Sequence, residues 1–258
     1  MEISNRNIIL TGGVKGIGKK IVERLIDEKA SVGVLDIDKE GLQNLKEDYP
    51  DIYCDYCNVS NFKDTVKSVN KFYKKFNKID ILINNAGVLY NSPLVTFSRS
   101  GLKSHNISDW GKIIDLNLNS VFYMTVNVVE KMIQDRTKGL VINMSSISAS
   151  GNIGQSAYSA AKAGVNALTS TWAKELGVMG IRVVSIAPGY TDTESTKDVM
   201  NKTNLEQIIN EVPIKRLGKP QEIADSVIFV IKNDFLNAKI LEIDGGLILN
   251  WKPSIIML

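Results

Sequence analysis

Residues 7–18 read NIILTGGVKGIG. The first five, Asn7–Thr11, form a short apolar run that stops at glycine, the pattern of a buried strand. Glycine lets the backbone turn tightly and pass close to a ligand with no Cβ in the way. Past the turn, Ile17, Ile21, Val22 and Leu25 recur at helical spacing, so a helix is expected over Ile17–Lys29. A helix N-terminus carries free N–H groups and a partial positive charge, which suits a phosphate. A glycine-rich turn alone says little. Between a first strand and a helix it points to a dinucleotide.

The remaining chain repeats this alternation. Strand-like runs fall at Ser31–Leu35, Ile52–Cys57, Ile79–Ile83, Leu140–Met144, Ile181–Ile186 and Lys239–Ile243. Helical patterns cover Lys63–Phe76, Asp109–Gln134, Gln155–Met179 and Gln221–Ile231, with a short polar helix after the second strand. Strands rich in β-branched residues, separated by helices, predict an α/β fold. Its expected form is a doubly wound Rossmann-type parallel sheet of about seven strands with helices on both faces. No linker or repeat interrupts the pattern, so one domain over residues 1–258 is expected. Ligands in such sheets bind beyond the carboxyl ends of the strands. Residues that carry chemistry should therefore gather after strands one, two, four, five and six.

Composition adds exclusions. The 258 residues are 44% apolar and 23% charged, with a net charge of +3. A chain of this size buries roughly 70–75% of its unfolded surface and needs no disulfide or metal. Basic residues are interspersed with acidic ones, so no nucleic-acid-binding stripe is expected. Lys71, Lys74, Lys75 and Lys78 read as one solvated helix face. No apolar run reaches the ~18 residues of a membrane span, and no signal-peptide pattern follows the N-terminus. The cytoplasm is the expected location. Cys54 and Cys57 have C-x-x-C spacing, but zinc takes about four ligands. There is no second pair, and the single histidine, His105, is distant in sequence. The pair also ends a strand where a redox motif would open a helix. A core role and no metal are expected.

The cofactor end can be assigned residue by residue. Gly12, Lys15, Gly16, Ile17 and Gly18 would cradle the pyrophosphate. Asp36 ends the second strand about 20 residues past the last glycine, where a carboxylate accepts hydrogen bonds from the adenosine ribose. It repels the extra phosphate of NADP(H), whereas Lys15 would attract it. A carboxylate at the ribose outweighs a solvated lysine, so NAD(H) is favoured and NADP(H) stays open. After strand four, Asn85, Ala86 and Gly87 leave room for ribose and diphosphate. After strand six, Pro188, Gly189, Thr191 and Thr193 offer backbone and hydroxyl groups to a nicotinamide carboxamide.

Strand five ends in Asn143-Met144-Ser145-Ser146, and Tyr158-Ser159-Ala160-Ala161-Lys162 follows on a helix. Tyr158 and Lys162, at i and i+4, share a face. Reducing a carbonyl takes a hydride on carbon and a proton on oxygen. A free tyrosine, pKa about 10, is poorly matched to proton transfer near neutrality. A neighbouring ammonium and an oxidised nicotinamide are expected to lower it. Ser145 is the expected anchor for the substrate oxygen.

With TGGVKGIG, the strand end at Asp36, NNAG at Asn84–Gly87, Ser145, YSAAK at Tyr158–Lys162 and PGYTDT at Pro188–Thr193, the sequence resembles the short-chain dehydrogenase/reductase family. The resemblance spans nearly the whole chain. It implies Tyr158 as general acid/base, Lys162 as ribose ligand and tyrosine activator, and Ser145 as substrate anchor. It adds a helix asparagine that supports a proton-relay water, Asn117, with Asn119 the other register. Asn58-Val59 stands where the family usually has an aspartate-valine pair at the adenine. The resemblance also implies a homotetramer built through the long helices and the last strand.

Gly151–Gln155 looks like 3-oxoacyl-thioester reductases. Asn233–Asn237 with Ile243–Gly246 looks like NAD-dependent 3-hydroxyacyl-CoA dehydrogenases. Both imply an acyl thioester as the small-molecule carbonyl/alcohol substrate. A sugar, polyol or steroid alcohol is the alternative. A non-catalytic dinucleotide-binding scaffold is disfavoured by the presence of Tyr158 and Lys162. Carrier-protein reductases of the family usually carry docking arginines. Arg136 fits one, but Met179 stands where another is expected, which shifts weight to CoA esters. Leu89–Ser108, with Pro93, Arg99, Gly101, Lys103 and His105, is either a functional loop or a surface insertion. Thr191–Val212 is expected to fold as a lid.

Overall fold

The computed structural model describes residues 1–98, 101–199, 202–247 and 249. In chain order the elements are β1 (Asn7–Thr11), α1 (Gly16–Asp27), β2 (Ser31–Asp36), α2 (Lys39–Asp48), β3 (Tyr53–Tyr56), α3 (Phe62–Phe76) and β4 (Ile81–Asn84). A hairpin of β5 (Val95–Ser98) and β6 (Gly101–Ser104) follows. Next come α4 (Ile107–Ile114), a π turn (Asp115–Asn119), α5 (Ser120–Gln134), β7 (Leu140–Met144), a 3-10 turn (Ile147–Ser150) and α6 (Ser156–Gly177). The chain continues through β8 (Arg182–Pro188), α7 (Glu194–Val199), α8 (Lys202–Glu211), α9 (Pro220–Lys232) and β9 (Ile240–Ile243).

Seven strands form one sheet in the order β3-β2-β1-β4-β7-β8-β9. Every neighbouring pair is parallel. Winding reverses between β1 and β4, which opens a crevice beyond their carboxyl ends. The strand alternation that burial demands is clean. Ile8 and Leu10, Ile81 and Ile83, and Leu140 and Ile142 join the core that includes α1 and α9. Ile9, Leu82 and Val141 join the core of α3, α5 and α6 on the other face.

Helix starts follow local chemistry. The Asp38 side chain accepts from Gly41 N–H and opens α2, and Asn61 opens α3 in the same way. Asn106 accepts from the N–H groups of Ser108 (2.8 Å) and Asp109 (3.3 Å), so α4 begins earlier than periodicity suggested. The helix expected over Asp109–Gln134 is interrupted by the π turn at Asp115–Asn119. Such turns are frequent at functional sites.

The segment Leu89–Ser108 folds back on itself as the β5–β6 hairpin, with Phe97 opposite Leu102. Arg99 lies outside the described residues. Among the described residues, no helix is long and apolar enough to cross a membrane. Cys54 and Cys57 are free thiols packed into the two cores, and burial pushes Cys57 up to about 11.

Gly33 shows how tightly β2 meets α3. A Cβ there would lie 2.3 and 2.5 Å from two ring carbons of Phe72. Gly33→Ala is expected to cost about 1–3 kcal/mol by overpacking. The check is the urea midpoint, which should fall; an unchanged midpoint would contradict this packing.

Candidate active site

A cleft of about 610 Å³ lies beyond the carboxyl ends of the central strands. Each residue singled out above as catalytic or dinucleotide-binding lines it. At one end, Gly12 takes a φ of +71°, and a Cβ there would sit 2.8 Å from Ala86 Cα. A Cβ on Gly18 would fall 1.9 Å from the Gly12 carbonyl oxygen. This turn is therefore built for glycine, and it delivers the N-terminus of α1 into the cleft.

Asn85 differs from its expected part. Its Nδ2 donates to the carbonyls of Thr11 (3.1 Å) and Gly12 (2.7 Å). Thr11 Oγ1 accepts from the N–H groups of Asn85 (3.1 Å) and Ala86 (3.0 Å). The pair clamps the turn after β1 to the turn after β4. Asn85 thus holds the cradle in shape from behind.

Asp36 ends β2 with its carboxylate held from both sides. Oδ2 accepts from Val14 N–H at 3.4 Å and Oδ1 from Asp38 N–H at 3.1 Å. Each oxygen keeps a lone pair for a further donor. Lys15 beside it is exposed. Asn58 is exposed, with Oδ1 bonded to Ser60 N–H at 3.1 Å, and Val59 is buried next to it. Gly189 passes β9's end so closely that a Cβ would meet Asp244 Cα at 2.7 Å. Thr191 is buried with its hydroxyl on Gly189 O, and Thr193 bonds Thr196 at 3.0 Å.

At the other end, Lys162 enters the interior with only 4% of its surface exposed. Its Nζ donates to Met144 O at 2.8 Å and lies over the Tyr158 ring, 5.6 Å from the centroid. Burial pulls its pKa down to about 8. A Cβ on Gly87 would stand 2.7 Å from Asn117 Oδ1 and 3.5 Å from Lys162 Nζ, so glycine is needed where these groups converge. Asn117 is buried in the π turn, with Nδ2 on Ile113 O (3.1 Å) and Oδ1 accepting from Val88 N–H (3.2 Å). Asn119, the other register, bonds Asp115 Oδ1 at the surface.

Two expectations need correction. Ser145 lines the cleft, but its hydroxyl is turned to Lys162 O, to which it donates at 3.3 Å. Ser146, whose Oγ accepts from Ser148 N–H at 3.1 Å, is the serine close enough to the Tyr158 hydroxyl to favour its ionisation. Asn143 and Ser145 share a face, since both donate to α6, at Thr169 Oγ1 and Lys162 O. Secondly, the Tyr158 phenol is raised above its ordinary value. Burial outweighs the lowering by Ser146, and nearby Tyr190 adds to the rise. Tyr190 also lines the cleft, with Asn152 and Gln155 linked to it, and none of the three was singled out from the sequence. Asn152 bonds both Gln155 and Tyr190.

With this geometry the comparisons with known proteins agree. The family model for short chain dehydrogenases matches residues 6–204. The chain belongs to that family and is an oxidoreductase of the carbonyl/alcohol class that binds a nicotinamide dinucleotide. It is 35% identical to the 3-oxoacyl-(acyl-carrier-protein) reductase FabG of Thermotoga maritima, covering 96% of this chain and 100% of that protein. It is 30% identical to a 3alpha-hydroxysteroid dehydrogenase of Mediterraneibacter gnavus over 95% of this chain and 98% of that one. The crystal structure of levodione reductase matches at a TM-score of 0.86 and 31% identity, covering 94% of this chain and 97% of that one.

Lys162 generates a pH-dependent stability. With a folded pKa of about 8 against 10.5 unfolded, the native state binds fewer protons between those values. The cost of burying the ammonium is present in full below pH 8 and is relieved as pH rises towards 10.5. Wild type should therefore gain on Lys162→Met by up to about 3 kcal/mol over that window. Urea unfolding of both proteins at stepped pH checks this; parallel stability curves would contradict it.

Proposed function

We propose that this protein interconverts 3-oxoacyl and 3-hydroxyacyl thioesters with a nicotinamide dinucleotide, NAD(H) in preference to NADP(H). The observation that carries the chemistry is the convergence of Tyr158, Ser146, Lys162 and Asn117 at one end of a cleft whose other end is a glycine cradle. The residues fit the cofactor. Gly12, Lys15, Gly16, Ile17 and Gly18 would hold the diphosphate, Asp36 the adenosine ribose, and Asn58 and Val59 the adenine. Gly87, Pro188, Gly189, Thr191 and Thr193 would line the nicotinamide half. The bound dinucleotide supplies or accepts the hydride.

The chain's own residues do the rest. Tyr158, raised by burial, rests as a phenol and holds the proton that a reduced carbonyl oxygen must receive. Ser146 is the proposed second donor to that oxygen, in the part expected of Ser145. The Lys162 ammonium stabilises negative charge developing at the Tyr158 oxygen and binds the nicotinamide ribose. Asn117, fixed in the π turn, supports the water through which Tyr158 regains its proton. The α7–α8 segment serves as a lid that excludes water.

The thioester reading is supported by the identity to 3-oxoacyl reductases across the full chain. The steroid alternative has support in one relative of lower identity. We also propose a cytoplasmic homotetramer in a single-domain chain. Exposed Phe122 and Val126 on α5, and Phe229 and Ile240 near the sheet's last edge, supply apolar surface for it. Two free thiols, Cys57 buried and Cys54 half-buried, suit a reducing compartment.

Tyr158→Phe is expected to bind NADH, read by fluorescence titration, and to lose at least about 100-fold in kcat. Retained turnover would overturn the mechanism. Ser146→Ala should lose more turnover than Ser145→Ala; the reverse order would restore Ser145 as anchor. Asp36→Ala should weaken NADH binding and shift preference towards NADPH. An unchanged ratio of kcat/KM for the two cofactors would show that Lys15 decides the preference.

A further inference from the structure

Tyr190 lines the same cleft as Tyr158 and lies near enough to disfavour its ionisation. Its ring packs on Ile147, Val212 and Leu247, so its position is set by a small core under the lid. Burial, the largest influence on it, raises the Tyr190 phenol and keeps it protonated near neutrality. Asn152 Nδ2 donates to the Tyr190 hydroxyl oxygen at 3.0 Å. The Asn152 amide is oriented by Ile153 N–H, which donates to Oδ1 at 2.9 Å. Behind it, Gln155 accepts from Asn152 at 3.3 Å and donates to Asn91 Oδ1 at 2.7 Å. Asn152 thus occupies the Tyr190 oxygen as a donor and leaves the hydroxyl proton to be donated. Among the described residues, the Tyr190 hydroxyl proton has no acceptor.

We infer that Tyr190, backed by Asn152, donates to the thioester carbonyl oxygen of the substrate. It thereby selects 1,3-dicarbonyl compounds over simple ketones. This rests on the thioester reading above. A 3-oxoacyl thioester carries two oxygens separated by one methylene. One must sit at Tyr158 and Ser146, where it receives its proton. The other needs only a donor, and the Tyr190 hydroxyl, whose oxygen is held by Asn152 at 3.0 Å, supplies one. A substrate without the second oxygen leaves the Tyr190 hydroxyl unpaired, and sites built to hydrogen-bond a group reject analogues that lack it.

The test compares acetoacetyl-CoA with S-(3-oxobutyl)-CoA, the thioether that keeps the ketone and lacks the thioester oxygen. Tyr190→Phe removes the hydroxyl and keeps the packed ring. It should lower kcat/KM for acetoacetyl-CoA by about tenfold, chiefly through KM, and change the thioether by less than about twofold. Asn152→Ala, which leaves the ring untouched, should show the same pattern with a smaller loss. Equal losses on both compounds, or no loss on the thioester, would overturn the inference while leaving the proposed reaction standing. No turnover of acetoacetyl-CoA by the wild-type enzyme would overturn both together.

Discussion

Lys162 carries an ammonium into the protein interior, and its surroundings are shaped to hold it there. Removing a charge from water is costly, and here the visible compensation is one carbonyl, that of Met144. The depressed pKa records the imbalance. Beside the ammonium, Gly87 has no Cβ to press on Asn117 Oδ1, which would stand 2.7 Å from one. An under-compensated buried cation in a cleft is a mark of function, because a core built only for stability would place an apolar side chain there. Tyr158 one turn earlier, Asn117 in the π turn and the end of β7 are all positioned against this lysine.

The rest of the fold brings those pieces to one point. Asn84 on β4 donates to Asn143 Oδ1 on β7 and to Thr125 on α5, and Asn143 donates to Thr169 on α6. This buried ladder ties two central strands to the two helices that carry the site. At the cofactor end, Thr11 and Asn85 do the same for the turns after β1 and β4. The first network joins side chains to one another and the second joins side chains to backbone, and both fix register where a loop alone would not.

Much of this was legible in the sequence, for physical reasons. Near-continuous apolar runs at Asn7–Thr11 and Leu140–Met144 can only be strands buried on both faces, so the doubly wound sheet followed. The glycines after β1 were readable because backbone approach excludes a Cβ. Asn117 was placed by resemblance, but the π turn that holds it inward leaves no mark on helical periodicity. Ser145 was named from its place at the end of strand five. The period-two alternation of β7 held better information, since Asn143 and Ser145 must share a face. The raised Tyr158 phenol was illegible, because it depends on burial by residues remote in sequence, Tyr190 among them. The β5–β6 hairpin also escaped, its alternation being too short to read.

The central claim is that this cleft transfers hydride to the 3-carbon of an acyl thioester. Its most direct test is to incubate the enzyme with acetoacetyl-CoA and NADH deuterated at the transferring position of the nicotinamide, and to map the label in the product by mass spectrometry. The account predicts 3-hydroxybutyryl-CoA with one deuterium on carbon 3 and none elsewhere. Consumption of neither compound, or label at any other carbon, would contradict it.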